Sequence, residues 1–319
     1  MFDVLTITSP IYIIVGLGFV FTRAGLFAKP DMRLFGKFVI NLALPALVFR
    51  ALSQRQLGEV LNPGYLVAYT VGALAVVGLG YTWARRVAGH SATASTFLAM
   101  GMSSSNSGFV GYPIMLLTLA PMAGVVLALN MLVENLVVIP LLLWLAERAK
   151  GTGDPWRALT QSLVRLATNP LFLALAAGLV ISATGWQLPA PVTRSIDLLA
   201  SASGALSLFV IGGTLVGLPL AGMGQRVMPV VLGKLLVHPL LVWGAVSALP
   251  WLGLDLSPEL RMAAVLSAAM PVMGIYPTLA QAHGQEDTSA AALMATTMAS
   301  FFTLSTLLWL FNTARTAGG

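Results

Sequence analysis

The sequence of 319 residues has no cysteine, three histidines and few charged residues. Without cysteine, the chain cannot form disulfides, thiol nucleophiles or Cys-ligated zinc sites. It also has no Gly-x-x-x-x-Gly-Lys-[Ser/Thr] phosphate loop and no His-Glu-x-x-His zinc motif, so neither ATP hydrolysis nor zinc peptidase chemistry is expected. Only 9% of its residues are Asp, Glu, Lys or Arg, whereas soluble domains contain roughly 25%. These absences argue against a water-soluble enzyme.

Apolar residues dominate the chain instead. They make up 57% of it, and the mean hydropathy is +0.88. One membrane crossing takes about 20 mostly apolar residues. Dividing the uncharged stretches at proline, glycine and charged positions predicts an all-α polytopic membrane protein with ten transmembrane helices. These lie near residues 5–23, 34–53, 64–84, 93–119, 121–147, 165–184, 196–217, 227–250, 260–282 and 287–312.

The cations are distributed unevenly between the predicted loops. With ten helices and an outside start, 11 Lys and Arg residues lie on one side and 5 on the other, with Lys234 set aside. Because cytoplasmic loops are enriched in Lys and Arg, both termini are expected outside the cytoplasm. This topology accounts for the pI near 10.0, so the expected partner is a lipid bilayer and not nucleic acid. Residues 151–164 are predicted to be a cytoplasmic linker.

The two halves, 1–150 and 165–319, share a sequence pattern. Small, glycine-rich segments can also arise from close helix packing, but two matches at nearly equal offsets favour a repeat. Because each half holds an odd number of helices, the second copy would be inverted in the membrane. The sequence therefore predicts two inverted five-helix repeats. Pro10, Gly18 and Gly25 match Pro170, Gly178 and Gly185 at an offset of 160, and Tyr112-Pro113 matches Tyr276-Pro277 at an offset of 164.

Both Tyr-Pro pairs fall in the middle of predicted membrane helices. Proline frees a backbone carbonyl that hydrocarbon cannot hydrate. Helices broken at equivalent points of inverted repeats would cross and direct their ends at one site, N-terminal ends toward an anion and C-terminal ends toward a cation. The predicted substrate-binding residues are Ser104, Ser105, Asn106, Ser107, Gly111, Tyr112, Pro113, Met270, Pro271, Tyr276 and Pro277.

Two ionisable residues, Glu134 and Lys234, lie well inside predicted helices. A charge at the bilayer centre costs about 3 kcal/mol or more and needs a partner. Asn135 follows Glu134, and His238 shares a helical face with Lys234, four residues earlier. One hypothesis gives these residues a role in ion coupling or charge balance, with His238 as a proton carrier. The alternative is a structural pair between Glu134 and Lys234, or bonds to freed carbonyls.

Several short motifs occur together in one order along the chain. They are Asn41-Leu42-Ala43-Leu44-Pro45, Asn-Ser-x-x-x-Gly-x-Pro from Asn106 to Pro113, Asn169-Pro170, Lys234-x-x-x-His238-Pro239, and Ala269-Met270-Pro271 leading to Tyr276-Pro277. In these motifs the chain resembles the auxin efflux carrier family, which includes plant auxin exporters and bacterial malate and malonate carriers. The motifs are weak singly and fairly specific jointly, and they span nearly the whole chain.

The resemblance implies a fold similar to that of sodium/proton antiporters and bile-acid symporters, with two crossing broken helices and an elevator-type mechanism. It implies a scaffold of residues 1–55 and 165–220, often dimeric, and a transport domain of residues 60–147 and 227–312. It also places the substrate site at the crossing. The short linker is more similar to bacterial carriers of small carboxylates, which implies the bacterial inner membrane. The second crossing lacks an asparagine, which leaves the coordination on that side open.

The sequence thus predicts a secondary transporter of a small organic anion, a carboxylate or dicarboxylate, that works by alternating access. No cofactor is expected, and coupling to H+ or to Na+ is left open. Asn106 and its serine neighbours would bind substrate, and Pro113 and Pro277 would maintain the breaks. A channel is the first alternative, although no charged ring or filter-like loop is present. An intramembrane enzyme is the second, although no nucleophile and base share a motif.

Overall fold

A computed structural model describes residues 2–55, 61–150, 155–217 and 224–317. Every regular element within these ranges is helical. Six helices are long and apolar enough to cross a membrane, which confirms the prediction of an all-α polytopic membrane protein. The count of ten crossings and the inverted repeat stay predictions. The six are Lys29–Ser53, Pro63–Arg86, Ala120–Ala149, Ala190–Thr214, Val227–Leu252 and Glu286–Phe311.

The helices are numbered here in chain order. The first seven are α1 Phe2–Arg23, α2 Lys29–Ser53, α3 Pro63–Arg86, α4 Ala92–Ser103, α5 Ser107–Thr118, α6 Ala120–Ala149 and α7 Pro155–Ala167. Six follow: α8 Pro170–Thr184, α9 Ala190–Thr214, α10 Val227–Leu252, α11 Pro258–Ala268, α12 Tyr276–Gln281 and α13 Glu286–Ala317.

The linker contains a helix that the sequence analysis did not predict. Residues 151–154 lie outside the described residues, and α7 begins directly after them. The prediction of one helix over 165–184 is wrong at its start. The Asn169 side chain accepts a hydrogen bond from the Leu171 N–H at 2.9 Å and caps α8. Pro170 follows this cap in the first turn, where a missing N–H costs nothing.

Two of the predicted helices are interrupted, but not at their Tyr-Pro pairs. The first interruption separates α4 from α5 at residues 104–106, and the second separates α11 from α12 at residues 269–275. The breaks that Pro113 and Pro277 are predicted to maintain therefore precede these prolines along the chain. Pro277 is the second residue of α12, where backbone donors have no intrahelical partner in any case. Pro113 lies inside α5.

Four helices contain a wide turn in which backbone hydrogen bonds span five residues, as from the Ile139 N–H to the Glu134 carbonyl. Each wide turn begins six residues before a proline: 39 and 45, 107 and 113, 134 and 140, 233 and 239. A proline ring would clash with the carbonyl four residues earlier, and a wider turn relieves that clash without ending the helix. The turns are Val39–Ala43, Ser107–Gly111, Glu134–Val138 and Gly233–Val237.

The helices form two compact units, each drawing on both sequence halves. The first unit comprises Met1–Asn62, Gly108–Leu129 and Ala167–Leu218, and the second comprises Pro63–Ser107, Asn130–Leu166 and Pro219–Gly319. The scaffold and transport segments implied by the family resemblance stay predictions.

In the first unit, α1 and α9 pack with their backbones in contact. A Cβ atom on Gly18 would overlap the carbonyl oxygen of Phe209, and a Cβ atom on Gly212 would overlap that of Val15. Small residues at such contacts are typical of helix packing in membranes, where close approach replaces the hydrophobic effect. Glycine is therefore required at both positions.

In the second unit, α3 packs against α4 and α10, and α10 packs against α11. The Tyr276 hydroxyl donates to the Phe97 carbonyl at 2.6 Å, which joins α12 to α4. The Val272 N–H donates to Thr296 Oγ1 of α13 at 3.3 Å. The second interruption is thus held by neighbouring helices of the same unit.

Candidate functional site

The two interruptions lie side by side as short antiparallel segments. The Asn106 N–H donates to the Pro271 carbonyl at 2.8 Å, and the Met273 N–H donates to the Ser104 carbonyl at 3.3 Å. Ser105 and Val272 form the bridge between them. Backbone groups released by the interrupted helices thus satisfy one another, as buried backbone polar groups require. Two interruptions that are far apart in sequence therefore form one structural element.

Ser105 connects this element to both buried charges. Its N–H donates to Glu134 Oε1 at 2.9 Å, and its hydroxyl accepts a hydrogen bond from Lys234 Nζ at 2.6 Å. The Tyr69 hydroxyl lies 3.1 Å from the same Ser105 Oγ and donates to Glu134 Oε1 at 3.4 Å. One serine therefore contacts both the acidic and the basic side chain through two different groups.

Lys234 is completely buried and has three acceptors around its Nζ. Besides Ser105 Oγ, these are the Ala268 carbonyl at 2.8 Å and His238 Nδ1 at 2.9 Å. Three acceptors match the three donors of an ammonium group. Ala268 is the last residue of α11, so the cation also lies at the negative end of that helix. Glu134 lies in the wide turn of α6 and Lys234 in the wide turn of α10, and both side chains bond to Ser105.

The alternative of a structural pair between Glu134 and Lys234 stays a prediction, because the two side chains are linked only through a third residue. Within the described part of the chain these two side chains make no ion pair, and Ser105 lies between them. The other alternative, a bond to a freed carbonyl, is confirmed for Lys234 through Ala268. A carboxylate and an ammonium joined by one serine leave the cluster formally neutral, which lowers the cost of burying it.

His238 lies one turn after Lys234, as its spacing predicts. Its Nδ1 faces Lys234 Nζ, and its Nε2 is buried with no hydrogen-bond partner among the described residues. The ring of Tyr69 lies 5.9 Å from the imidazole ring. His238 is thus in direct contact with the buried cation and retains one unused nitrogen.

The sequence analysis missed several polar residues that complete the cluster. The Tyr65 hydroxyl donates to Asn130 Oδ1 at 2.8 Å and lies 3.3 Å from Ser267 Oγ, and its ring stacks on that of Tyr69 at 5.8 Å. A buried tyrosine hydroxyl needs a partner. Tyr65 and Tyr69 are four residues apart in an apolar helix, which puts both hydroxyls on one face. This spacing could have indicated a buried polar cluster from the sequence.

Other predicted substrate residues lie around the first interruption. The Ser104 and Ser107 hydroxyls are buried and have no hydrogen-bond partner among the described residues. The Asn106 side chain is half-buried. Two unused hydroxyls and one amide thus flank Ser105 in the interruption and can hydrogen-bond a small polar molecule.

At the second interruption the predicted residues have mainly structural contacts. Met270 is fully buried, and its N–H donates to the Ser267 carbonyl at 3.3 Å. Pro271 supplies the carbonyl that binds Asn106, and Tyr276 bonds to Phe97. Pro277 is half-buried in the first turn of α12. The second interruption therefore supports the first through its backbone.

The remaining predicted residues lie elsewhere. Asn135 donates to the Met131 carbonyl of its own helix at 2.9 Å, and exposed Asn41 donates to the Lys37 carbonyl at 2.7 Å. Both amides lie within a wide turn and bond to a carbonyl one turn earlier in their own helix, and Pro45 is buried. Gly111, Tyr112 and Pro113 are buried residues of the first unit. That they form one binding site with Ser104 stays a prediction.

The geometry allows anion binding and proton exchange. Three titratable side chains, Glu134, Lys234 and His238, are linked through short hydrogen bonds at a point where two helices are interrupted. Among the described residues no three His, Asp or Glu side chains gather as metal ligands. Broken helices around a polar site at membrane depth are typical of secondary transporters.

A family model described as "Membrane transport protein" matches residues 3–310. The chain belongs to this family, the auxin efflux carrier family. It is therefore a membrane transporter, and the family resemblance of its motifs is confirmed.

Individual proteins are similar to the chain over between a third of its length and nearly all of it. A protein of Rhizobium meliloti (strain 1021) named "Putative malonate transporter" is 26% identical over 314 residues, covering 98% of this chain and 97% of that protein. The "Uncharacterized transporter YfdV" of Escherichia coli (strain K12) is 25% identical over 213 residues, covering 65% and 67%. An "Uncharacterized transporter" of Methanothermobacter thermautotrophicus is 31% identical over 108 residues, covering 33% and 34%.

Proposed function

We propose that the protein is a secondary carrier of a small carboxylate or dicarboxylate. The observation that carries this proposal is the pair of interruptions joined at Ser105, with the buried ammonium of Lys234 bonded to that serine. A buried cation beside unused hydroxyls favours an anionic ligand over a neutral one. The name of the Rhizobium meliloti relative supports a carboxylate of the size of malonate.

The substrate would bind along the first interruption. Ser104 and Ser107 offer hydroxyls without a partner, and Asn106 offers a half-buried amide. α5 begins at Ser107, so the positive end of its dipole lies next to Asn106 and favours a carboxylate there. Lys234 would act through Ser105, whose hydroxyl it holds, and would offset part of the substrate charge without direct contact.

Proton coupling is the energy source that the cluster supports best. Glu134, Lys234 and His238 can each gain or lose a proton, and all three are connected through Ser105 or Lys234. The groups that face them are the Tyr69 and Tyr65 hydroxyls, the Asn130 amide and the Ala268 carbonyl. A proton entering this network changes its charge next to the substrate site, so substrate affinity and protonation would depend on each other.

The wider architecture belongs to the same proposal. Ten membrane crossings in two inverted repeats would place both interruptions near the bilayer midplane. An elevator-type movement of the segments 60–147 and 227–312 against a dimeric scaffold of 1–55 and 165–220 would then expose the site alternately. The cation distribution supports an inner-membrane protein with both termini outside the cytoplasm.

Transport of labelled malonate into liposomes that contain the purified protein tests the proposal. We expect saturable uptake under a pH gradient and none above background under a sodium gradient alone. Asn106→Ala should lower uptake at least about tenfold, the effect of 1.4 kcal/mol on a barrier. Asn135→Ala is the matched control, because that amide bonds only within its own helix and should transport like the wild type.

The same assay separates the alternatives. Flux that rises linearly with malonate concentration, with a single-channel conductance, would support a channel. Turnover of a lipid or peptide by the purified protein would support an intramembrane enzyme. Absence of uptake for every small mono- and dicarboxylate under both gradients would overturn the carrier proposal.

A further inference from the structure

A groove in the first unit lies between the end of α2 and the turn that joins α8 to α9. It consists of two adjoining cavities, of about 560 Å³ and about 420 Å³, which share Phe49, Ile181, Trp186 and Leu188 as lining residues. All residues that line the two cavities belong to the first unit. Each volume is in the range of sites that bind small organic molecules.

Contacts between α2 and α8 fix the walls of this groove. A Cβ atom on Gly178 of α8 would lie 2.9 Å from Leu52 Cβ and 3.2 Å from the Phe49 carbonyl oxygen of α2. The Ser182 hydroxyl of α8 donates to the Arg55 carbonyl at 2.6 Å. The groove is therefore formed by the packing of the chain itself.

The two ends of the groove differ in chemistry. Apart from Thr184, the residues that line the larger cavity are apolar, and they follow α8 back to Ala177, seven residues before its end. The smaller cavity is lined by polar residues from the last turn of α2 and the first two turns of α9, among them Arg50 and Asp197. The groove is thus amphipathic along its length and fits a ligand that is polar at one end.

The groove also runs in the direction in which a phospholipid lies in a bilayer. α2 and α9 are long enough to cross a membrane, and the polar end lies where α2 ends and α9 begins. Trp186, two residues after α8, is 64% exposed, and tryptophan is enriched at the boundary between acyl chains and headgroups. The polar end therefore lies at headgroup depth, and the apolar end extends about 10 Å toward the acyl chains.

Arg50 and Asp197 give the polar end both signs of charge. Arg50 Nη1 lies 3.7 Å from Asp197 Oδ1, and the two side chains are 30% and 45% exposed. Since a charge-assisted hydrogen bond is about 2.7–2.9 Å long, both groups retain capacity for a ligand. A phosphate would accept hydrogen bonds from the guanidinium, and an ammonium would donate to the carboxylate. A choline headgroup has no N–H to donate, and a glycerol headgroup has no cation.

We infer that this groove binds a phospholipid with a primary-amine headgroup, of the phosphatidylethanolamine type. Its phosphate would lie at Arg50, its ammonium at Asp197, and one acyl chain along α8. The inference concerns the first unit alone and does not rest on the proposed substrate or coupling ion.

Photoactivatable phospholipids with a diazirine on one acyl chain provide a direct test. The full-length protein is irradiated in vesicles that contain such an analogue of phosphatidylethanolamine, and the labelled peptides are mapped by mass spectrometry. We expect saturable labelling of residues 177–188. Unlabelled phosphatidylethanolamine should compete at about a tenfold lower concentration than phosphatidylcholine, the effect of one charge-assisted hydrogen bond.

Variants separate the two charges from the apolar end. Asp197→Asn should remove most of the tenfold preference for phosphatidylethanolamine, whereas Arg50→Gln should weaken labelling by both phospholipids. Ala177→Phe places a large side chain at an exposed lining position and should abolish labelling by both. Asp255→Asn and Arg261→Gln alter another exposed ion pair, in the second unit, and as matched controls should label like the wild type. Thermal denaturation of each variant distinguishes a lost site from a lost fold.

Three results would overturn the inference. Labelling that does not saturate and is spread evenly over the exposed helices would show contact with bulk bilayer only. Equal competition by phosphatidylcholine and phosphatidylethanolamine would show that the charge pair does not select the headgroup. The chain has no native cysteine, so a covalent dimer formed by Val180→Cys, without lipid labelling of residues 177–188, would show that a second copy covers the groove.

Discussion

The two units of the molecule are stabilised in different ways. In the first unit, α1 and α9 touch through glycine backbones, and its described ion pair, Arg50 with Asp197 at 3.7 Å, is partly exposed. In the second unit, Glu134, Lys234 and His238 are buried and connected through an interrupted backbone. Close van der Waals packing is insensitive to ligands and pH, whereas a buried polar network responds to both. The difference suggests where ligand binding can alter the structure.

The largest effect is expected when the second unit loses its cation. Lys234→Met removes the donor for Ser105 Oγ, for the Ala268 carbonyl and for His238 Nδ1. Each buried acceptor left without a partner costs about 1–3 kcal/mol, and Glu134 loses its compensating charge. We expect malonate uptake at background and a lower thermal denaturation temperature in detergent.

Lys29→Met is the control for this change. Lys29 is exposed and only approaches the Gly217 carbonyl at 3.5 Å, so uptake and stability should match the wild type. Wild-type uptake by Lys234→Met would show that the buried network is a structural feature without a role in transport.

A change at the helix contact should disrupt the first unit instead. Gly18→Ala places a methyl group against the Phe209 carbonyl, and such overpacking costs about 1–3 kcal/mol. Gly16→Ala, two residues earlier, meets nothing within 4 Å and should stabilise the helix by about 0.5–1 kcal/mol. The thermal denaturation temperatures of the two variants should therefore shift in opposite directions. Shifts in the same direction would contradict the close contact between Gly18 and Phe209.

A smaller change isolates the role of Ser105. Ser105→Ala keeps the N–H bond to Glu134 and removes the hydroxyl, which bonds to Lys234 and to the Tyr69 hydroxyl. Loss of each such bond costs about 0.5–1.5 kcal/mol, so the fold should persist while uptake falls several-fold and its pH profile moves. Ser300→Ala removes a buried hydroxyl that donates to Thr297 in its own helix and should leave the pH profile in place.

The smallest effect is expected at the exposed loop before α11. Hydrogen bonds from the Leu256 N–H and the Arg261 guanidinium lower the pKa of Asp255. A lowered pKa in the folded protein adds stability at neutral pH that is lost as the pH falls through that pKa. Because the carboxylate is fully exposed, Asp255→Asn should change thermal stability barely at pH 7 and still less as the pH falls through the lowered pKa. A large shift at pH 7 would show that this loop matters to the fold.

Much of the fold follows from composition, whereas the details of the site depend on contacts between distant segments. Charge-free stretches of about 20 residues indicate membrane helices whatever surrounds them. The contact between Lys234 and His238 follows from a spacing of four. The bond from Ser105 to Glu134 joins residues 29 positions apart, and no local sequence pattern predicts it.

The errors in the predictions have physical causes. Proline is the most visible helix breaker, and so Pro113 and Pro277 are predicted to maintain the interruptions. The backbone instead leaves the helix where a second extended segment can pair with it, at Ser104 and Asn106. α7 was missed because glycine and proline in residues 151–155 indicate a loop, although Trp156, Leu159, Leu163 and Leu166 follow the helical period.

The four wide turns have a consequence for how the chain tolerates length changes. A turn with i→i+5 bonds holds one residue more than an ordinary turn, so it is in effect an insertion of one residue. Deleting one residue from Val39–Ala43 should convert the turn to a regular α-helical one while the flanking helix survives. The same deletion in a regular stretch such as the middle of α3 would rotate half a helix by about 100°. Length variation between related chains should therefore concentrate six residues or fewer before their helix prolines.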